Sequence, residues 1–340
     1  MRIAVDAMGG DHAPDEIVQG ALEGLDFLRS ADELILIGRE DAVRAHLPPG
    51  FVPDRPAPDA PKVVIHHAPD AIGMDEPPVE ALRQKKQSSI AVMAKLAADH
   101  QVDAVISAGN TGACAAACQL KMRTLGAVQR PGIAVVLPSF AGPLTVCDAG
   151  ANVTPKPAHL LQYAHMATIY AERILKIAHP RVGLLSIGGE DVKGNSLVKQ
   201  AHEMLKKDHA LNFVGNVEGR ELFSGACEVA VCDGFVGNVV LKLTEGLAEG
   251  LLRIIAREVE AESHELAQRL APIFQTVWSK HDYSEYGGAP LLGVDGTCII
   301  CHGRSNHRAI KNAVRIAAEL IRSEVNHVIE NRLSETLQDA

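Results

Sequence analysis

Short apolar runs that alternate with longer amphipathic stretches constrain this chain more than any other feature of its sequence. The runs RIAVDA, DAVISAG, GIAVVLPS and RVGLLSIG are apolar almost throughout, as strands covered on both faces are. Amphipathic stretches follow many of them; behind Pro14, for example, Ile17, Ala21, Leu25 and Leu28 recur at helical spacing. Strands that alternate with helices form mostly parallel sheets between helical layers. The sequence therefore predicts an α/β fold, with a mostly parallel sheet flanked by helices.

The same periodicity predicts where the helices lie and how the chain is organised. With 340 residues, the chain exceeds the usual span of one core. We expect a single large α/β unit over 1–340, either undivided or made of two intimately joined subdomains. A long helical stretch without an intervening strand predicts a helical hairpin near 247–280, turning near Glu262–Ser263. Helices are expected at 14–29, 76–99, 111–122, 157–178, 194–208, 237–260, 263–279 and 305–331.

Composition excludes several classes of function. A net charge of −9 and an aromatic content of 4% argue against a nucleic-acid-binding protein. The first residues lack the pattern of a signal peptide, and no apolar run reaches spanning length, so we expect a cytoplasmic protein. Cys298 and Cys301 form a single C-x-x-C, which favours buried strand residues over metal or redox chemistry. Because neither a P-loop nor a G-x-G-x-x-G is present, we expect no cofactor, and we expect no metal.

Six joints rich in glycine, asparagine, aspartate and serine follow the predicted strands. The carboxyl ends of parallel strands form the sheet edge at which ligands bind, so we expect these joints to gather at one edge. Glycine lets the backbone approach a ligand, and the following helix offers unpaired N–H groups to an anion. The joints are residues 6–14, 107–113, 148–157, 186–195, 215–219 and 233–238.

Within these joints, Lys193 and Asn238 are the candidate catalytic residues. A lysine can neutralise phosphate or stabilise an oxyanion, and an asparagine amide can donate to either. Lys193 could equally be a solvated surface lysine, and Asn238 could cap its helix. His302 could serve in acid–base chemistry, position phosphate or be structural. The candidate substrate-binding residues are Gly9, Gly10, Asp11, Asn110, Thr111, Gly112, Asn152, Gly194, Gly237 and His302.

The carboxylates near these joints fit structural roles better than a metal site. Asp6, Asp11 and Asp148 form no tight D-x-D pattern, and hydrogen bonding to loop amides explains them better. Asp233 is interpreted in the same way, as a brace of its loop. Neither a G-x-S-x-G elbow nor a family-type cysteine motif is present, so a covalent intermediate is not expected.

Six motifs in order resemble those of the PlsX-type phosphate acyltransferases. They are AVDAMGGDHAPDEIVQGAL, SAGNTGA, DAGAN, IGGEDVKGN, DGFVGNVVLKLTEG and YGGAPLLGVDG followed by CHGRS, and the resemblance runs from residue 3 to about 325. The chain departs from the family pattern where Gly189 replaces a glutamate, and where Thr154 and Pro155 replace Asp and Cys. Carboxylate roles at these positions are therefore not carried over.

The resemblance implies an enzyme that transfers a fatty acyl group from acyl carrier protein to inorganic phosphate, giving acyl phosphate for phospholipid synthesis. Phosphate would attack the thioester directly, and the family's K-G-N and G-N loops match Lys193 and Asn238 by position. The resemblance also implies a homodimer and a membrane glycerol-3-phosphate acyltransferase as the partner that consumes the product. The implied fold is related to phosphate acetyltransferases and to isocitrate/isopropylmalate dehydrogenases.

Two interaction surfaces follow from the resemblance. Members of the family dock on membranes through a helical hairpin, and Leu266 and Ile273 could insert here. Glu258 and Glu262 oppose anionic lipid, so peripheral membrane contact competes with packing in a dimer or in the core. For the acidic carrier protein, two cationic clusters are candidates, although either could be an ordinary solvated helix face: Arg83, Lys85 and Lys86, and Lys121 and Arg123.

Two alternatives remain open from the sequence. One is a nicotinamide-dependent decarboxylating dehydrogenase of the same fold, although the expected arginine-rich loop and clustered aspartates are missing. The other is a non-catalytic regulator that binds carrier protein without turnover.

Overall fold

The computed structural model describes residues 1–56, 58–281 and 286–338. Over these ranges, eleven strands form one continuous sheet, covered on both faces by helices. The strands are β1 Arg2–Asp6, β2 Glu33–Gly38, β3 Lys62–His67, β4 Ala104–Ser107, β5 Gly132–Ser139, β6 Gly142–Cys147, β7 Arg181–Ser186, β8 Asn212–Glu218, β9 Val229–Val231, β10 Ala289–Leu292 and β11 Thr297–Ile300. The α-helices are α1 Asp15–Glu23, α2 Glu40–Ala45, α3 Pro78–Gln84, α4 Ser89–Ala98, α5 Thr111–Lys121, α6 Pro157–Arg173, α7 Ser196–Lys207, α8 Gly234–Glu262, α9 His264–His281, α10 His307–Arg322 and α11 Val325–Gln338.

The sheet is mostly parallel, which confirms the predicted fold class. Its strand order is β3-β2-β1-β4-β11-β10-β5-β6-β9-β7-β8. Antiparallel pairing occurs in the centre, where β10 lies between β11 and β5, and where β5 pairs with β6. These reversals make β6, β7, β8 and β9 run opposite to β1, β2, β3, β4 and β11.

The reversal places the glycine-rich joints at two opposite edges of the sheet. The joints after β1 and β4 lie at one edge, whereas those after β6, β7, β8 and β9 lie at the other. The prediction that all six share one edge was therefore wrong. Apolar runs reveal that a strand is buried, but they do not reveal its direction.

The core has two parts, one on each face of the sheet. Ile3 and Val5 of β1 point to the part formed with α1, α6 and α10, while Ala4 points to the part formed with α4 and α5. Tyr163 and Tyr170 of α6 are fully buried in the first part. Because both faces are covered, a central strand carries apolar residues at every position rather than at alternate ones.

Most predicted helices are confirmed, with informative differences in their bounds. The predicted helix at 76–99 is two helices, because the chain turns after Gln84 and Ser88 begins α4 by accepting a hydrogen bond from Ala91 N at 3.4 Å. The predicted helix at 305–331 divides between α10 and α11, near Glu324, whose φ is +50°. The hairpin turn at Ser263 is confirmed, since α8 ends at Glu262. None of the helices in the described ranges combines the length and apolarity that crossing a membrane requires.

Candidate active site

A cavity of about 480 Å³ lies where the central strands meet the first turns of α8. Its wall contains residues of β5, β10 and β11, together with parts of the joints that follow β1, β4 and β6. It therefore draws on joints from both edges of the sheet. The apolar part of this wall includes Ile133, Val135, Val136, Leu241, Ala289 and Ile300.

Five charged or titratable side chains also line this cavity. We call Asp11, Lys242, Glu245, His302 and Arg304 the charged rim. Partial burial lowers the pKa of His302, the cations of Arg304 and Lys242 lower it further, and Asp11 opposes them. Burial raises the pKa of Glu245, while Lys242 and Arg304 act in the opposite direction. These mutual effects place the five groups in one electrostatic neighbourhood.

Backbone hydrogen bonds hold the joint after β11 against two other joints. Cys301 N donates to Ser107 O at 2.8 Å, and Asp11 N donates to Gly303 O at 2.7 Å. Within the joint, Arg304 N donates to His302 Nδ1 at 3.2 Å. The joints after β1, β4 and β11 thus form one hydrogen-bonded surface, which carries His302 and Arg304 to the cavity.

Helix α8 reaches the cavity through a close approach to the end of β6. Asp233 begins the helix by accepting hydrogen bonds from Phe235 N at 3.0 Å and Val236 N at 2.9 Å. Asp233 therefore caps α8, which confirms the prediction that it braces its loop. Asn238 does not cap the helix. Gly237 packs so tightly that a Cβ there would lie 2.0 Å from Asp148 O. The next residue, Asn238, faces the cavity beside Gly150.

Asp148 organises the loop opposite α8. Its carboxylate accepts hydrogen bonds from Ile133 N at 3.0 Å, Gly150 N at 3.1 Å and Asn152 N at 2.7 Å. Asn152 also donates its side-chain amide to Asp148 and to Pro131 O. Burial raises the pKa of Asp148, although these N–H groups partly offset the effect. The predicted structural role of this carboxylate is therefore confirmed.

The structure brings five of the twelve predicted site residues to the cavity. Those that line it are Asp11, Thr111, Gly112, Asn238 and His302. The following do not line it: Gly9, Gly10, Asn110, Asn152, Lys193, Gly194 and Gly237.

The residues away from the cavity have structural explanations. Asn110 caps α5 by accepting from Ala113 N at 3.0 Å and donates to Met74 O and Glu76 O, so its amide is engaged. Gly9 and Gly10 pack against the neighbouring joints: a Cβ on Gly9 would lie 2.6 Å from Gly109 N.

Lys193 lies in the exposed loop between β7 and α7. Its backbone N–H donates to Glu190 O at 3.0 Å. The next residue, Gly194, has φ +99°, and a Cβ there would lie 2.6 Å from Val198 Cγ1. Glycine is therefore required at 194 for the turn, which explains it without a ligand. The structure does not bring Lys193 and Asn238 together in the cavity.

Sequence reasoning missed Lys242, Glu245 and Arg304. Residues 239–246 belong to the helix predicted at 237–260, and they are not part of the core, because Gly234 and Gly237 alone are buried among the residues of α8. A usable signal was present, because Asn238, Leu241, Lys242 and Glu245 follow the i, i+3, i+4, i+7 spacing of one helical face.

One further residue of the wall bears on the chemistry. Burial, together with the neighbouring Cys114, raises the pKa of the Cys301 thiol to about 12. A thiol needs to ionise to act as a nucleophile. The raised pKa of Cys301 therefore disfavours the thiolate that a covalent nucleophile requires.

The chain is similar to phosphate acyltransferases in sequence and to a phosphotransacetylase in fold. The profile of a family described as "Fatty acid synthesis protein" matches residues 1–328. A protein of Desulfitobacterium hafniense named phosphate acyltransferase is 48% identical over 336 residues, covering 98% of both chains. One of Heliobacterium modesticaldum with the same name is 46% identical, again covering 98% of each chain. A phosphotransacetylase from Streptococcus pyogenes superposes with a TM-score of 0.62 at 17% identity, over 95% of this chain and 94% of its own.

Proposed function

The chain belongs to the PlsX-type phosphate acyltransferase family, and we propose that it transfers a fatty acyl group from acyl carrier protein to inorganic phosphate. The product would be an acyl phosphate for phospholipid synthesis, consumed by a membrane glycerol-3-phosphate acyltransferase. Relatives at 48% and 46% identity favour acyl transfer over a dehydrogenase or a non-catalytic regulator.

The observation that carries the proposal is the composition of the cavity. Its apolar wall, with Leu241 and Ile300, suits an acyl chain, whereas Lys242 and Arg304 suit an anionic phosphate. Both parts belong to one cavity, so the two reactants could meet there. An arginine fork and a lysine ammonium are common phosphate ligands.

The chemistry needs positioning more than activation. An oxygen of phosphate attacks the thioester carbonyl carbon, giving a tetrahedral intermediate whose carbonyl oxygen carries the negative charge. When the carbon–sulfur bond breaks, the carrier leaves as its thiolate and the acyl phosphate remains. In our proposal, the side-chain amide of Asn238 donates to the oxyanion. The raised pKa of Cys301 supports direct attack without an acyl-enzyme.

Lys193 remains part of the proposal as a second catalytic residue. Its loop follows β7, and β7 pairs with β9, after which α8 begins. Lys193 and Asn238 therefore belong to the same edge of the sheet. Its exposure leaves the ammonium accessible to an arriving phosphate or carrier protein.

A direct assay tests the reaction. Purified protein, long-chain acyl carrier protein and phosphate should release free carrier thiol and form acyl phosphate, and thiol release that does not depend on phosphate would contradict the proposal. Asn238→Ala should lower kcat by about 10²-fold, because it removes the proposed oxyanion donor, and Lys193→Ala should lower kcat as well. Lys206→Ala is the matched control, because Lys206 pairs with Asp191 on the exposed face of α7.

Carrier protein is acidic, so we propose that it docks against exposed cations. The ammonium of Lys85 is already engaged, since it donates to Glu76 at 2.5 Å and to Ala71 O at 2.9 Å. Arg83 in the last turn of α3 and Lys86, two residues beyond the helix, are therefore the first choice. Charge reversal at both should raise KM for acyl carrier protein but not for phosphate; an unchanged KM would direct attention to Lys121 and Arg123.

We propose that the exposed apolar stripe of α8 pairs with a second copy of the chain. Its members recur every four residues and are 46–67% exposed: Phe235, Val239, Leu243, Leu247, Leu251 and Ile255. Because each step of four residues turns about 40° around a helix, these side chains form an exposed apolar strip that winds around α8, and such a strip indicates an interaction surface. The glutamates nearby, including Glu258 and Glu262, favour a protein partner over an anionic membrane.

The oligomeric state tests this surface. Light scattering after gel filtration should show a dimer for the wild type and a monomer for Leu243→Glu combined with Leu247→Glu. Leu120→Glu is the control, because Leu120 is comparably exposed at 72% but lies on α5. A wild-type monomer, or a dimer that survives the double change, would contradict the pairing.

A further inference from the structure

Three cysteine thiols meet in the core between α5 and β11. Cys114 and Cys118 are one helical turn apart on α5, and Cys298 lies on β11. All three are buried, with exposures of 0%, 0% and 1%. Their sulfur atoms lie within 4.8 Å of one another, and the sulfurs of Cys118 and Cys298 are 3.4 Å apart. The cysteine that faces these thiols from β11 is Cys298, so the C-x-x-C motif does not act as a pair.

The spacing of the sulfurs suits a shared central atom better than a disulfide. A disulfide needs a sulfur–sulfur distance of about 2.05 Å. Metal–sulfur bonds of about 2.3 Å that meet at tetrahedral or smaller angles place the sulfurs about 3.3–3.8 Å apart. The 3.4 Å between Cys118 and Cys298 lies within this range.

The potential ligand atoms of this cluster are three cysteine sulfurs. The nearby hydroxyl of Ser107 is engaged, since it donates to Asp6 Oδ2 at 2.7 Å and accepts from Gly109 N at 3.0 Å. Among the described residues, the group of potential ligands contains these three thiols alone. Structural zinc sites use four ligands, so a three-coordinate, sulfur-seeking ion fits better than zinc.

Charge selects the valence of that ion. Three thiolates carry three negative charges, so a monovalent ion would leave two of them uncompensated and a divalent ion one. A trivalent ion leaves none. Because an uncompensated charge in an apolar core is costly, a trivalent ion is favoured.

We propose that this thiol cluster binds a trivalent thiophilic metalloid, with arsenite as the representative ligand. Arsenous acid carries three hydroxyl groups on As(III). Each arsenic–oxygen bond is replaced by an arsenic–sulfur bond, and each departing hydroxyl takes one thiol proton to leave as water. Arsenic keeps its oxidation state, and the product is neutral.

The cluster lies close in sequence to the wall of the active-site cavity. Gly112 lines the cavity two residues before Cys114, and Ile300 lines it two residues after Cys298. Arsenite that enters the cavity therefore needs a local opening of α5 against β11, and the bound ion would then link these two elements.

Native mass spectrometry of the full chain with arsenite tests the proposal without relying on its enzymatic activity. We expect a mass gain of one arsenic less three hydrogens, formed on long incubation or on refolding with arsenite. Cys114→Ala, Cys118→Ala and Cys298→Ala, each checked for folding by circular dichroism, should abolish this species. Cys147→Ala with Cys232→Ala is the control, because these cysteines are equally buried but lie outside the cluster.

Three results of this experiment would overturn the proposal. A wild-type chain that gains no arsenic by either route overturns the proposal and leaves the cysteines as packing residues. So does a three-thiol adduct that persists in any folded variant of the cluster, or one that disappears in the control.

Discussion

Replacing Gly237 by alanine should destabilise the protein, although alanine is the better helix former. Gly237 lies in the first turn of α8, where it faces the end of β6. A Cβ built there lies 2.0 Å from Asp148 O and 3.0 Å from Ala149 Cα. Both obstacles are backbone atoms, so no side chain can rotate away. The helix itself would have to retreat.

The expected size follows from two opposing effects. Alanine in place of glycine favours a helix by about 1 kcal/mol. Ordinary carbon–oxygen contacts are about 3.3–3.6 Å, so α8 must move by roughly 1.3 Å to accommodate the methyl group. Overpacking of this kind costs about 1–3 kcal/mol, and we take the upper value because the obstacle is backbone. The net loss in free energy of unfolding should be about 2 kcal/mol.

Gly246→Ala is the matched control, because it lies in the same helix with no atom within 4 Å of its built Cβ. There the propensity effect acts alone, and stability should rise by about 0.5–1 kcal/mol. Urea unfolding followed by circular dichroism measures both variants. If Gly237→Ala proves as stable as the wild type, α8 does not approach β6 this closely. A displaced Asn238 should also lower kcat, by about 10²-fold for an error of about 1 Å.

Three further perturbations test the site and the core. Asp148→Asn replaces an acceptor oxygen by an amide facing N–H donors, which should cost about 2 kcal/mol in urea unfolding; an unchanged midpoint would contradict the bracing role. Lys242→Ala should raise KM for phosphate about tenfold with little change in KM for carrier protein, as steady-state kinetics would show, and equal effects on both would argue against a phosphate ligand. Although burial raises it, the hydrogen bond and charge of His165 hold the pKa of Asp208 below its ordinary value. A lowered carboxyl pKa stabilises the fold above the unfolded pKa of about 3.9, and this contribution is lost as pH falls through the folded pKa. Asp208→Asn should therefore be less stable than wild type near pH 6, and the gap should close below about pH 4; a gap of constant size would contradict the pairing.

The fold was largely predictable because burial on both faces leaves a direct trace in the sequence. Strands such as β1 and β4 carry consecutive apolar residues, Ile3–Val5 and Ala104–Ile106, and their joints are rich in glycine. By contrast, β10 was missed, and β11 was anticipated only through the expectation that Cys298 is a buried strand residue, since each strand has four residues and glycines surround both. Strand β10 runs against both of its neighbours, and the antiparallel pairing of β5 with β6 then reverses the second half of the sheet. Hydrophobic periodicity therefore could not predict the direction in which β6, β7, β8 and β9 run.

Site residues that lie in glycine-rich joints could be predicted from the sequence. Those that lie on the surface of a helix could not. Asp11, Thr111 and His302 stand in joints and were identified. Lys242 and Arg304 are exposed cations with no motif of their own. They matter because α8 contacts β5 and because the joint after β11 is hydrogen-bonded to its neighbours, and both contacts join segments distant in sequence.

The position of β11 also governs the order in which the molecule can be built. During synthesis, β1, β2, β3 and β4 leave the ribosome first, and β5, β6, β7, β8 and β9 follow. The strands that join these two groups, β10 and β11, lie within residues 289–300 and are made after the other described strands. Until then, β4 and β5 each present an unpaired border that could associate with other chains. Truncation before residue 289 should therefore leave two unjoined half-sheets prone to aggregation, and the cavity would be completed only as the final strands enter.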